Sequence, residues 1–109
     1  MRKAKVLFRN EEAGFLIQND DGSFIFCYHN NWMSDSSKPA ISLNFPKEEK
    51  EFHSEFLFPF FYNMLPEGTN KEVVCRLNRI DKRDDFGLLM TTAQYDSIGA
   101  VRIVKTDDI

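Results

Sequence analysis

The chain has 109 residues, 42% of them apolar and 28% charged, with a formal charge of -3. That length suits one domain with a real core, which needs neither disulfide nor metal to fold. The acidic balance excludes a protein that grips a phosphate backbone alone, because such binding needs clustered lysine and arginine.

Lys5 to Arg9 (KVLFR) reads as a first strand with Val6 and Phe8 on one face. Asn10 to Gly14 supplies polar turn residues, and GFLIQN continues as a second strand. Asn19-Asp20-Asp21-Gly22 is the clearest hairpin signal, since Asp-Gly tolerates the positive φ of tight turns. The third strand, SFIFCYH, alternates: Phe24, Phe26 and Tyr28 point one way, Ile25, Cys27 and His29 the other. NNWMSDSSKP, from Asn30 to Pro39, is a polar loop containing Trp32. AISLNF is a fourth strand stopped by Pro46, and Lys47 to Glu51 is a charged connector.

Helices follow. Pro59 starts a short one, because the first helical turn does not use its amide hydrogens. Pro66 disfavours helical geometry at Leu65 and ends it. Thr69 to Glu72 forms a capping box. Val73, Val74, Leu77 and Ile80 then recur at helical spacing as the expected buried face, with Arg76 and Arg79 outward. Asp84 or Asp85 caps a third helix whose stripe is Phe86, Leu89, Met90 and Ala93. Gly99 ends an irregular piece and AVRIVK closes the chain as a strand. The expected class is α+β: a single small domain, a mainly antiparallel sheet, and a block of about three helices before a last strand that pairs with early ones.

The chemistry-bearing residues form no reactive set. Asp85-Phe86-Gly87 spells the magnesium tripeptide of protein kinases, but the Gly-rich loop, strand lysine and catalytic loop of that fold are missing. Asp85 is better read as a cap and Phe86 as core. Cys27 and His29 sit two apart on a strand face, which is half a metal site at most. Residues so placed seldom form a nucleophilic dyad. Cys27 and Cys75 have no C-x-x-C spacing and read as reduced, buried thiols. The five glycines (Gly14, Gly22, Gly68, Gly87 and Gly99) read as turn punctuation, and none builds a phosphate loop. Arg76, Arg79, Lys82 and Arg83 read as a solvated face. No catalytic residue, metal or cofactor is assigned. With no signal peptide or apolar span apparent, a cytoplasmic, non-enzymatic binding module is expected.

FLFPFFYNMLPEG, from Phe56 to Gly68, is the exceptional stretch. Six of the eleven phenylalanines fall between Phe45 and Phe61. Its apolar residues cover nearly every direction around a short helix, so one side faces the sheet and the other meets later helices or a partner. The tip is stiff at Pro66 and pliant at Gly68, a knuckle with little entropy to lose on binding. Candidate partner-binding residues are Phe61, Met64, Leu65, Pro66, Glu67, Gly68, Thr69 and Asn70. Two readings stand for Trp32: it folds back over the core, or it anchors a partner.

Taken in order, Gly14, FIFCYHNNW, ISLNFP, FPFFYNMLPEG, DDFGLL, and Asp96 with Gly99-Ala100 resemble the N-terminal subdomain of HipA-type serine/threonine kinases. Met64 stands where that pattern usually has Leu, and Asn44-Phe45 loosens the strand pattern before it. The resemblance takes in residues 1–109 as one such domain, and the catalytic core would begin where the chain stops at Ile109. A free-standing copy is similar to the HipS-type antitoxins of three-component HipBST systems. The resemblance implies a protein that binds a HipT-like serine/threonine kinase in trans and suppresses phosphorylation of its target, a tRNA synthetase in the family. It also implies a complex with a HipB-type DNA-binding protein, reached directly or through the kinase, with no direct nucleic acid or membrane contact. The alternative is a structural complement that stabilises or activates the kinase, or bridges it to the repressor, without inhibiting it.

Overall fold

The computed structural model describes residues 1–92 and 100–106. Among them five strands form one antiparallel sheet: β1 (Arg2–Phe8), β2 (Glu11–Gln18), β3 (Phe24–Tyr28), β4 (Glu51–Ser54) and β5 (Val101–Lys105), in the spatial order β4-β3-β2-β1-β5. Four helices accompany it: α1 (Asn30–Ser34), α2 (Pro59–Tyr62), α3 (Gly68–Asn78) and α4 (Asp85–Thr92). The class is α+β, with α2 to α4 as a block before β5, and β5 returns to pair with β1.

The first hairpin turns earlier than its polarity suggests. Arg9 and Asn10 take φ of 50° and 69°, so these two residues make the turn, and Glu11 and Glu12 already belong to β2. Positive φ at both central residues matches the twist of the strands that flank a two-residue loop. The register shifts between Val6 and Leu7, which leaves Ala13 as an extra residue. That bulge turns both Ala13 and Gly14 into the interior. Gly14 is therefore a strand residue rather than turn punctuation: a Cβ there would stand 2.1 Å from the Cys27 carbonyl oxygen. The second hairpin is where Asp-Gly places it. Gly22 has φ of 91°, and the Asp21 carboxylate accepts bonds from the Ser23 amide at 2.9 Å and hydroxyl at 2.6 Å.

AISLNF is not a strand. Ile41 and Phe45 are buried from an irregular segment whose backbone is tied to side chains instead of a ladder. The Tyr28 hydroxyl donates to the Phe45 carbonyl at 2.5 Å and accepts from the Ile41 amide at 3.1 Å. Burial pushes the Tyr28 phenol up from its ordinary range. Lys47 donates to the carbonyls of Asp35 and Lys38 at 2.8 and 2.6 Å. The fourth strand instead begins at Glu51, inside the expected connector, where Phe52 pairs with Phe26.

One face of the sheet carries the core. Ala4, Val6, Leu16, Phe24, Phe26, Tyr28, Val101 and Ile103 alternate inward to meet residues from the helices and the irregular segment. Phe45 is a hub there, its ring 4.7 Å from Phe26, 5.1 Å from Phe52, 5.2 Å from Phe58 and 5.7 Å from Phe61. Such ring pairs each add about 0.5–1.5 kcal/mol beyond the area they bury. The local excess of phenylalanine has its main cause in this cluster.

The DFG tripeptide is a structural joint. Asp84, not Asp85, caps α4 by accepting from the Gly87 amide at 3.1 Å. Arg2 of β1 binds the same carboxylate at 2.5 and 3.0 Å and lies 5.0 Å over the buried Phe86 ring. Arg2 beside it holds the Asp84 carboxyl below the usual range. A Cβ at Gly87 would meet that carboxylate at 2.4 Å, so the glycine lets Asp84 fold over the helix start. Leu88 is fully buried as well as Leu89, and Met90 is half-buried. Ala93, Asp96 and Gly99 lie outside the described residues.

Candidate partner-binding surface

Pro59 occupies the first turn of α2, and the amides of Phe61 and Tyr62 both reach the Phe58 carbonyl at 2.9 Å. The chain tightens through Met64 to Phe61 at 3.0 Å and Leu65 to Tyr62 at 3.1 Å, then straightens at Pro66 and Glu67. Gly68 takes φ of +57°, a left-handed turn that glycine accepts without strain, and α3 follows directly. Thr69 lies inside α3, and Glu67 stands at the N-cap with no side-chain capping bond. The expected capping box is thus not made: Gly68 supplies the geometry in place of a hydroxyl.

Burial divides the residues expected to bind a partner. Phe61 is fully buried among Phe26, Phe45, Phe58 and Phe60, and Met64 and Leu65 are buried behind the turn. These three are corrected from contact residues to supports, since a side chain filling the core has no surface to offer. Trp32 is corrected in the same way. It sits in α1, a helix within the expected loop, packs edge-on against Phe8 at 5.8 Å and donates to the Pro39 carbonyl at 2.8 Å. It has folded back. Glu67, Gly68, Thr69 and Asn70 are exposed, and Pro66 is half-buried. They form the outer rim of the turn.

Helix α3 departs furthest from expectation. Cys75 is its buried residue, and Val74 and Ile80 are half-buried beside it. Val73 is 41% exposed and Leu77 76% exposed. Asn70, Val73 and Leu77 follow at i, i+3 and i+7, so the rim of the turn continues into an outward apolar stripe on one helix face. Arg76, Arg79, Lys82 and Arg83 are exposed beside it, with Lys82 at 3.4 Å from Glu72. Periodicity alone does not distinguish Leu77 outward from Leu77 inward. What did flag the region was the density of apolar residues from Phe56 to Leu65, just before Pro66.

Cys27 and His29 turn to different partners. Cys27 is half-buried rather than buried, its Sγ turns to the Tyr28 carbonyl at 3.5 Å, and burial raises its thiol pKa. His29 Nε2 faces Glu12 at 3.4 Å and its ring meets Phe15 edge-on at 4.5 Å. Glu12 is held below the usual carboxylate range, first by the hydrogen bond from Lys5. Among the described residues no group of three or more His, Cys, Asp or Glu side chains is gathered to hold a metal ion. No helix among them is long and apolar enough to cross a membrane.

Comparison with known proteins places the chain. The profile of the HipA N-terminal domain family matches residues 4–104. An uncharacterized protein of Haemophilus influenzae is 35% identical over 103 residues, which cover 94% of this chain and 92% of that one. A putative kinase, Y4mE of Sinorhizobium fredii, is 26% identical over 107 residues; the chain spans 25% of its length. Among solved structures, the N-terminal domain of HipA toxin superimposes with a TM-score of 0.72 at 30% identity, covering 100% of this chain and 96% of that one.

Proposed function

The chain belongs to the family of HipA N-terminal domains, and on that premise we propose that it is an antitoxin acting as a free-standing partner of a HipA-like serine/threonine kinase of the HipT type. The observation that carries the reading is the pair of relatives. In Sinorhizobium fredii the matching stretch is a quarter of a putative kinase, whereas in Haemophilus influenzae it fills nearly the whole of a separate protein. A domain found both inside a kinase-sized chain and by itself suits binding in trans. The exposed surface suits it too. Glu67 to Asn70, then Val73 and Leu77, offer a stiff turn and an apolar helix stripe that the domain's own core does not cover. Occupying the kinase with that surface neutralises it, and a HipB-type DNA-binding protein completes the complex and carries the operator contact.

A Gly/Ser replacement of Pro66 to Asn70 tests this while sparing the buried Leu65. The variant is expected to fold, shown by an unchanged denaturation midpoint, and to lose rescue of growth against the cognate kinase. Retained rescue refutes the assigned surface. The structural-complement reading draws on the putative kinase, in which the same domain is covalently present. Titrating the purified protein into the kinase separates the two: target phosphorylation falls for an antitoxin and holds or rises for a complement.

A further inference from the structure

The sheet face away from the core is self-complementary, and we propose that it is the interface of a symmetric dimer of this chain. This goes beyond the kinase-binding surface and uses none of its residues. On β2 and β3 the outward positions are Phe15, Ile17, Ile25 and Cys27, all half-buried, while their inward neighbours Leu16, Phe24 and Phe26 are at most 6% exposed. An apolar centre on an antiparallel face that water reaches is unusual, because that face is normally polar.

The register supplies the occupant. One row across these four strands runs Lys5, Phe15, Cys27, Glu51; the next runs Lys3, Ile17, Ile25, His53. A two-fold axis along the strands, between β2 and β3, carries each row onto itself in reverse. Lys5 of one copy then faces Glu51 of the other, Phe15 faces Cys27, Ile17 faces Ile25, and Lys3 faces His53. In the first row a basic end therefore meets an acidic end, and in both rows an apolar centre meets itself, at the ~10 Å spacing of packed sheets. Lys5 also holds Glu12 of its own chain at 3.0 Å, so the ammonium joins two carboxylates across the interface. Lys3 lies 3.8 Å over the Phe15 ring and is displaced to the rim as the faces close. Four half-buried side chains make a smaller patch than the standard interface of about 800 Å² per partner, so the dimer is weak.

Sedimentation equilibrium of the full chain from about 10 µM to about 1 mM, a range that brackets weak association, tests the proposal. Reversible dimerisation is expected. Ile25→Lys is expected to raise the dissociation constant at least about tenfold. Glu51→Lys is expected to weaken the dimer, and Lys5→Glu added to Glu51→Lys to restore it in part. Circular dichroism checks that each variant is folded; if Ile25→Lys is not, Glu51→Lys and the charge-swapped pair carry the test. In a Cys75→Ala background, a short bis-maleimide should join Cys27 to Cys27 in the parent and not in Ile25→Lys or, should that not fold, Glu51→Lys. A chain that stays monomeric throughout the range overturns the proposal. So does a dimer that survives both Ile25→Lys and Glu51→Lys, which would place the contact on another face.

Discussion

Two apolar stretches stand side by side in this chain and meet opposite fates. Phe56 to Leu65 is the greasiest run in the sequence, yet Leu57, Phe58, Phe61, Met64 and Leu65 are buried and Phe60 half-buried, with Phe56 and Tyr62 exposed. Val73 to Leu77 looks like an ordinary core face, and both ends of it point into water. The difference lies in what each meets. The first stretch finds Phe26 and Phe45 across the sheet and irregular segment, while α3 turns only its Cys75 side inward. Apolar density marks where burial energy is available; whether this chain or another molecule supplies the second surface is a separate matter.

The sharpest way to break that contrast is Phe61→Ala. It should cost about 3–5 kcal/mol in chemical denaturation, because the cavity opens in a cluster with no room to collapse. A loss under about 1 kcal/mol would mean that the ring cluster is not the core. Gly14→Ala comes next, at about 2–3 kcal/mol, since its methyl would displace the Cys27 carbonyl and spread β2 from β3. A wild-type thermal midpoint for this variant would contradict the close strand approach.

Asp84→Asn should cost about 1 kcal/mol, because Arg2 and Asp84 are each about a third exposed and solvent screens the pair, while Asn still caps α4. It should also flatten the acid limb of stability. The folded carboxyl titrates below its unfolded value of about 3.9, so its contribution is complete above that pH and disappears as pH falls through the lowered folded value. Denaturant midpoints at pH 7 and pH 3, for parent and variant, measure both effects.

The smallest stability change belongs to Leu77→Ser, expected within about 0.5 kcal/mol of the parent. Paired with Phe61→Ala it sharpens the comparison: one variant loses stability, the other loses only affinity for a kinase partner, by about tenfold or more in a direct binding assay. Equal destabilisation by both would erase the distinction between the stretches.

Much of the fold is legible in residue order because the signals are local. Strict alternation in Phe24 to Tyr28, Asp-Gly in the second hairpin and Pro59 at a helix start each act within a few residues. The failures are equally physical. AISLNF alternates like a strand, but Tyr28 and Lys47 take over its neighbourhood's hydrogen bonds and leave no ladder. The capping box is present in composition, but the helix starts at Gly68, two residues before a Thr69 cap would begin it. Of the candidate surface, the exposed tip from Glu67 to Asn70 is readable from its proline and glycine; Val73 and Leu77 are not, because helical spacing says which residues share a face and not which way it points.

By itself, then, the order of residues determined the alternation of β3, the chemistry of the second hairpin, the start of α2 and the family pattern, all set by backbone preference and short-range spacing. Tertiary structure alone decided that Phe61 and Trp32 go inside, that Asp84 rather than Asp85 clasps Arg2, and that one face of α3 stays open. Those outcomes depend on which distant surface arrives to share the apolar area. That competition is resolved by packing among residues tens of positions apart.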